Sequence, residues 1–175
     1  LWVFGFFMHD WAEANLSAKI DFENGNTITT DYPSYYSVTE DRRFYFYNLL
    51  EEISVPGEWY LDRTAGVLYI YPESGFKASD DVEFITYDKP FITIKNAENI
   101  KISGIKFEKS LDMGIKIDDS KKISISGCTF NELCGTAINS LTSYETKIDR
   151  CAFTEVGYRA VCLESGDRET LTPGK

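Results

Sequence analysis

Two short clusters in the sequence carry aromatic, acidic and basic side chains that could bind a polar ligand or transfer a proton. The first is His9-Asp10-Trp11, which follows an apolar stretch at the start of the chain. A tryptophan offers a flat apolar face for a sugar ring, while a histidine and an aspartate can hydrogen-bond its hydroxyl groups. We therefore predict His9, Asp10 and Trp11 as substrate-binding residues. The alternative is structural, because a lone histidine often serves folding and Trp11 can pack at a domain junction.

The second cluster is Glu164 followed by Ser165-Gly166-Asp167-Arg168, near the end of the chain. A glycosidase needs two carboxyl groups around the bond it breaks, about 5–5.5 Å apart for retention and about 6.5–9.5 Å for inversion. An arginine beside Asp167 favours the charged carboxylate that a nucleophile or a hydroxyl-binding group requires. We predict Glu164 and Asp167 as catalytic and Arg168 as substrate-binding. A surface turn with Ser-Gly-Asp turn chemistry is the competing interpretation.

The elements that must position these clusters are short strands, because residues 91–164 repeat every 23 residues. Apolar residues recur in fixed columns, including Ile92, Ile115, Ile138 and Val161, and Phe107, Phe130 and Phe153. Apolar residues alternate at period two within each repeat, which indicates strands, and a fixed period of about 20–50 residues indicates a solenoid. The predicted fold is all-β: a right-handed parallel β-helix of 23-residue coils, interrupted by a small antiparallel β-sandwich or barrel-like insertion.

The repeat also predicts the outer surface of the coils. One column assigned to that surface becomes small after its first member: Phe91, Gly114, Ala137 and Ala160. It is expected to form the floor of a shallow groove. Asp118 and Glu164 share another outward column two coils apart, which places their Cα atoms about 9.6 Å apart. That spacing permits a carboxylate pair without identifying one.

The residues before the repeat show turn signals that are typical of antiparallel strands. Asn24-Gly25 predicts a hairpin between strands at 17–22 and 27–30, and a second hairpin is predicted from 58–61 and 67–71. Another strand is predicted at 43–50, with a helical turn at its end, and a last one at 82–86. The tyrosines of this part are interpreted as packing residues in preference to a sugar platform: Tyr32, Tyr35, Tyr36, Tyr45 and Tyr47.

These patterns predict three segments. Residues 1–11 form a strand of an earlier coil, residues 12–88 the inserted antiparallel domain, and residues 89–175 the coils of the β-helix.

Composition narrows the possible partners. The net charge of −10 disfavours nucleic acid, whose binding depends on lysine and arginine, and it also disfavours polyuronates. An uncharged oligo- or polysaccharide is the expected partner. No apolar run is long enough to cross a membrane, and the apolar start of the chain lacks the basic residues and cleavage site of a signal peptide, so we expect none in this segment. With one histidine and no CxxC motif we expect no metal and no cofactor, and Cys128 and Cys151 are predicted to be stacked free thiols.

A longer stretch carries a family resemblance. Residues 48–72, NLLEEISVPGEWYLDRTAGVLYIYP, resemble a segment of right-handed parallel β-helix repeat proteins of bacterial carbohydrate metabolism, in which a β-rich domain interrupts the solenoid. Residues 2–7 with Asp10-Trp11, and residues 165–174, fit the same pattern, so the resemblance spans nearly the whole chain. Relatives of this kind include glycoside hydrolases of the β-xylosidase and fucosidase/xylanase types.

The resemblance implies a segment of a longer bacterial enzyme, extracellular or periplasmic, with further coils after Lys175. The expected activity is hydrolysis of a neutral or plant-type polysaccharide, and the segment by itself is expected to be inactive. Two alternatives stay open: a non-catalytic glycan-binding or adhesion β-helix, and a cation-dependent polysaccharide lyase.

Overall fold

The computed structural model describes residues 1–167 and 169–173. It divides the chain into two compact units, Leu1–Asp81 and Val82–Lys175. Within the described residues, the regular elements are β-strands and a single 3₁₀ turn, so the prediction of an all-β fold is confirmed. Arg168, a predicted substrate-binding residue, lies outside the described residues.

The N-terminal unit contains a four-stranded antiparallel sheet and a separate hairpin. The sheet strands are β1 (Trp2–Gly5), β2 (Ala14–Asp21), β3 (Thr27–Thr30) and β4 (Phe44–Tyr47), in the spatial order β3-β2-β1-β4. A 3₁₀ turn at Leu50–Glu52 leads towards the hairpin of β5 (Trp59–Asp62) and β6 (Val67–Ile70).

Both predicted hairpins of this unit are confirmed. β2 and β3 pair around a turn in which Gly25 has a φ of 75°, and β5 and β6 pair around a turn with Gly66 at 67°. Both angles lie in the left-handed region, where glycine has no Cβ penalty. The strand predicted at 82–86 does not form.

The strand β1 is antiparallel to both of its neighbours. Trp2 is registered with Ser17 on β2 and with Tyr47 on β4. Neighbouring coils of a parallel β-helix pair in parallel, so the structure places β1 in the antiparallel sheet instead of in an earlier coil. That residues 12–88 interrupt a longer solenoid stays a prediction.

Strand alternation gives the antiparallel sheet two different faces. The register of β1 with β2 and β4 puts one set of aromatic and polar side chains on one face: Trp2, Phe4, Asn15, Tyr45 and Tyr47. The other face carries Val3, Leu16 and Phe44. Of the described hydrophobic residues of this unit, only Val3 and Ala18 are buried, so its core is thin.

The C-terminal unit is a parallel β-helix of 23-residue coils. Its strands are β7 (Ile92–Lys95), β8 (Lys101–Ser103), β9 (Lys106–Ser110), β10 (Ile115–Asp118), β11 (Ser124–Ser126), β12 (Thr129–Leu133), β13 (Ile138–Leu141), β14 (Lys147–Asp149), β15 (Ala152–Val156) and β16 (Val161–Glu164). They stack into three sheets, β7-β10-β13-β16, β8-β11-β14 and β9-β12-β15. The predicted columns are confirmed, since Ile92, Ile115, Ile138 and Val161 are registered partners.

The interior of the β-helix is filled by stacked identical or similar side chains. The rings of Phe107 and Phe130 are 5.0 Å apart at their centroids and 12° from parallel, and those of Phe130 and Phe153 are 5.2 Å and 9°. This spacing follows from the separation of about 4.8 Å between neighbouring strands. Phe130, Ile115, Ile117 and Ile125 are completely buried.

Polar side chains close one corner of the coils. Ser120 Oγ accepts the backbone N–H of Ala97 at 3.2 Å, and Ser143 Oγ accepts that of Ser120 at 3.1 Å. Both serines are buried, so this ladder satisfies backbone groups that the turn would leave unpaired.

The two thiols of the predicted cysteine column make the same contact in neighbouring coils. Cys128 and Cys151 are free, and each donates to the carbonyl oxygen two residues earlier, of Ser126 and Asp149, at 3.5 Å.

The predicted floor of small residues does not lie on the outer surface. Gly114 and Ala137 are buried, and a Cβ on Gly114 would meet the Ala137 carbonyl oxygen at 2.6 Å and the Phe130 ring at 2.7 Å. This column turns inward onto the phenylalanine stack, because the chain bends just before each first strand of a coil. The expectation of a groove floored by Gly114 and Ala137 was therefore wrong.

Candidate functional site

The residues His9 and Trp11 form one aromatic cluster with two tyrosines of a following loop. The His9 imidazole stacks on the Trp11 indole with centroids 5.2 Å apart and planes 7° from parallel. The ring of Tyr36 meets both of them edge-on, at 5.0 Å and 5.4 Å. Tyr35 in turn packs edge-on against Tyr36 at 4.9 Å. We call these four residues the aromatic cluster.

Backbone hydrogen bonds hold the two segments of the aromatic cluster together. A turn follows β1, in which the N–H of Ala12 donates to the His9 carbonyl at 3.0 Å. The loop that carries the tyrosines is tied to the same segment, because the N–H of Thr39 donates to the Phe7 carbonyl at 2.9 Å. The rings are therefore brought together by contacts between residues about 30 apart in sequence.

The aromatic cluster is largely open to solvent. Trp11 is 72% exposed and Tyr35 is 92% exposed, whereas His9 and Tyr36 are half-buried beneath them. Tyr35 packs at the rim, where its ring meets that of Tyr36, and not in a core. A supported aromatic ring that stays exposed presents a flat apolar face to a ligand.

Charged groups border the aromatic cluster. Asp10 Oδ1 lies 3.5 Å from Arg43 Nη2 and 3.8 Å from Arg42 Nη1. The Arg42 side chain is anchored further, since its Nε donates to the Thr39 hydroxyl at 2.9 Å. The site thus combines apolar ring faces with one carboxylate acceptor and two guanidinium donors, as in small-molecule sites where a few polar groups orient the ligand.

The sequence indicated only one half of this site. His9, Asp10 and Trp11 were predicted as binding residues, and the structure brings them together. Tyr35, Tyr36, Arg42 and Arg43 were not, because no sequence spacing signals that the loop folds back onto residues 7–9.

Glu164 lies in the β-helix, at the end of β16, and is exposed. Its column is confirmed by the register, which pairs Asp118 with Leu141 and Leu141 with Glu164. Two strand spacings therefore separate Asp118 from Glu164, about 9.6 Å at the Cα atoms. The Asp118 carboxylate is partnered by Lys116, whose Nζ lies 3.3 Å from Oδ2.

Asp167 uses its carboxylate in a local turn. Its Oδ1 accepts the N–H of Glu169 at 2.8 Å and its Oδ2 accepts the Thr170 hydroxyl at 2.7 Å. The hydroxyl bond from Thr170, helped by the backbone bond from Glu169, lowers the pKa of Asp167. The main chain closes the same turn through Asp167 and Thr172. These bonds favour the ionised carboxylate and support the competing interpretation as a turn residue.

Two further features concern the described part of the chain as a whole: metal sites and membrane-spanning helices. In residues 1–167 and 169–173, no three His, Cys, Asp or Glu side chains are grouped so that they could hold a metal ion. The same part of the chain contains no helix with the length and apolar character that a membrane span requires.

Comparison with known families agrees with the fold of the C-terminal unit. Residues 91–172 match the family model described as "Right handed beta helix region". The match covers the three stacked sheets and agrees with the predicted right-handed coil. No curated protein and no solved structure matches the chain. The chain is thus a right-handed parallel β-helix repeat preceded by an antiparallel sheet, and the carbohydrate chemistry implied by the resemblance stays a prediction.

Proposed function

We propose that this chain is part of a carbohydrate-active β-helix protein and that its antiparallel unit binds an uncharged oligosaccharide on the aromatic cluster. The observation that carries the proposal is the exposed face of Trp11, held by stacking on His9 and by the edge-on contact with Tyr36. The proposal includes an extracellular or periplasmic location, where a protein can meet the polysaccharides from which such oligosaccharides derive.

The physical argument rests on two complementary surfaces. The C–H groups of a pyranose ring form an apolar face that packs on an aromatic ring, and its hydroxyl groups need donors and acceptors at the ring edge. Asp10, the residue before Trp11, supplies an acceptor, and its ion-pair partner Arg43 supplies donors. The net charge of −10 favours an uncharged ligand over an acidic one.

The test is binding of xylohexaose and cellohexaose to the Trp11→Ala protein. Loss of the indole face is expected to weaken binding about tenfold, the change that corresponds to about 1.4 kcal/mol, as measured by isothermal titration calorimetry. Tyr32→Ala is the matched control, because Tyr32 is an exposed tyrosine near the same loop that makes no ring contact with the cluster. Equal affinities for wild type and Trp11→Ala would contradict the proposal.

Hydrolysis is a second candidate function, favoured by the outward carboxylate column of the β-helix. Asp118 and Glu164 lie two coils apart, near the separation that suits an inverting glycosidase once side chains reach towards each other. The ionised carboxylate of Asp167 follows three residues after Glu164 and suits an acceptor role better than that of a general acid.

Hydrolysis is tested with a panel of aryl-glycosides and the full-length protein that contains this chain. Glu164→Gln is expected to lower kcat/KM by about 100-fold or more if the carboxyl group transfers a proton. Glu155→Gln, which alters an exposed carboxylate of another sheet, serves as the control. Sugar binding without turnover on the whole panel would leave the binding function standing and remove the hydrolase.

A further inference from the structure

The face of the antiparallel sheet that carries Trp2 and Tyr47 forms a second cleft. Its volume is about 680 Å³, and the hairpin residue Trp59 and the 3₁₀-turn residue Glu52 complete its walls. That volume lies within the range of about 300–1,000 Å³ in which small-molecule sites fall.

Aromatic rings line this cleft and remain accessible. The Trp2 indole stacks on the Tyr47 ring with centroids 6.3 Å apart and planes 26° from parallel. Beside them, Tyr45 packs on Phe4 at 5.4 Å. Trp59 is 59% exposed. Two tryptophans in one open cleft provide more flat apolar surface than a single ring.

Polar groups in the same cleft are held in place by the fold. The Tyr47 hydroxyl donates to Asn15 Oδ1 at 2.7 Å, which orients the amide and leaves its Nδ2 hydrogens for another acceptor. Glu58 Oε2 accepts the N–H groups of Ser54 and Val55 at 2.7 and 2.9 Å, and these bonds fix the rim loop before the hairpin. Arg63 adds a guanidinium group to the lining.

The second cleft is distinct from the aromatic cluster. Tyr35 and Tyr36 line a depression together with Val3 and Leu16, which point to the opposite face of the sheet from Trp2 and Asn15. A ligand in one site therefore does not occupy the other.

We propose that this cleft, defined by Trp2, Tyr47, Trp59 and Asn15, is a second binding site for pyranose rings of an uncharged oligosaccharide. The antiparallel unit then binds sugar at two places, one on each face of its sheet. A sugar is favoured over an apolar peptide because amide, carboxylate and guanidinium groups share the lining with the aromatic rings.

The three tryptophans of the chain allow the two sites to be read separately by fluorescence. Trp11→Phe leaves Trp2 and Trp59 as reporters of the second cleft, and the Trp2→Phe/Trp59→Phe protein leaves Trp11 as the reporter of the aromatic cluster. Both proteins are titrated with xylohexaose and cellohexaose, after circular dichroism has shown that each retains its fold. We expect a saturable change in the emission of Trp11→Phe.

A further substitution in the Trp11→Phe protein identifies the cleft as the source of the signal. Trp59→Ala is expected to lower the sugar affinity about tenfold through loss of one stacking face. Tyr69→Ala is the matched control and should leave the affinity unchanged. Tyr69 is registered with Tyr60, so it points to the opposite face of the hairpin from Trp59.

The outcomes separate this inference from the proposed function. A response of the Trp2→Phe/Trp59→Phe protein alone overturns the second site and leaves the first. A response of the Trp11→Phe protein alone, sensitive to Trp59→Ala, supports the second site and removes the first. Absence of both responses overturns both. Saturation of the Trp11→Phe signal by a proline-rich decapeptide and not by either sugar also overturns the second site.

Discussion

Aromatic rings stack in both units of the chain, but the phenylalanine column of the β-helix lies inside, whereas the tryptophans of the antiparallel unit lie at the surface. Phe107, Phe130 and Phe153 form a column within the coils, and Phe130 is completely buried. In the antiparallel unit, by contrast, Trp11 and Trp59 are mostly exposed.

This difference follows from how each unit builds its core. Every coil of the β-helix adds the same inward side chains to the same columns, so burial accumulates with each repeat. A single sheet with a separate hairpin encloses little volume, and its remaining aromatic surface stays in contact with solvent. Exposed apolar patches bordered by polar groups mark binding surfaces in soluble proteins. The β-helix therefore holds most of the buried core, whereas the antiparallel unit carries the exposed rings on which the proposed binding rests.

The largest expected effect is on the centre of the buried stack. Phe130→Ala removes a completely buried ring that contacts two others, and it should lower the free energy of unfolding of the β-helix by about 3–5 kcal/mol. The matched variant in the antiparallel sheet is Phe44→Ala. Because Phe44 is 50% exposed, its removal should lower the free energy of unfolding much less. Urea denaturation of both variants measures the difference. Equal losses of unfolding free energy would show that the buried ring contributes no more than the exposed one.

An intermediate effect is expected where a methyl group is added. Gly114→Ala places a Cβ against the Ala137 carbonyl and the Phe130 ring, so it should destabilise the β-helix by about 3 kcal/mol. Gly66→Ala in the antiparallel unit meets no atom within 4 Å and carries only the left-handed backbone penalty, about 1 kcal/mol. The midpoints of urea unfolding give both values. A smaller loss for Gly114→Ala than for Gly66→Ala would show that the interior is not tightly packed.

The smallest effect concerns a surface turn of the antiparallel unit. The side-chain and backbone N–H groups of Asn24 bond the Asp21 carboxylate and lower its pKa. A carboxyl group whose pKa is lowered on folding stabilises the fold above its unfolded pKa. That stabilisation is lost as the pH falls through the folded pKa. NMR titration of the carboxyl carbon should place the Asp21 midpoint below that of an unperturbed aspartate, and Asn24→Ala should raise it. A midpoint that Asn24→Ala leaves unchanged would assign the shift to another cause.

The fold of the β-helix could be predicted from sequence because its signal is periodic. The register of Ile92, Ile115 and Ile138 follows directly from the 23-residue spacing. Face assignments at the bends could not be predicted in the same way. Side chains alternate between the two faces of a sheet only within a strand. Gly114 lies just before a strand, where a bend in the chain points its side-chain position inward.

The candidate site was predictable only where its residues are adjacent in sequence. His9, Asp10 and Trp11 are consecutive in the sequence, so their side-chain types alone indicated a binding site. Their contacts with Tyr36 and Arg43 depend on a loop that returns over residues 7–9 through hydrogen bonds of the main chain. Main-chain bonds of this kind carry no side-chain signature, so they could not be predicted from the residue types.

The uniform register of the β-helix has a consequence for how such a chain can change length. Each coil begins and ends at equivalent positions, and Gly114 and Ala137 occupy the same step of successive turns. Duplication or deletion of one whole coil would join equivalent positions and leave the remaining columns aligned. Insertion of a single residue within a strand would shift inward side chains outward along the rest of that strand. The β-helix should therefore tolerate the gain or loss of a whole 23-residue coil, but not of part of a coil.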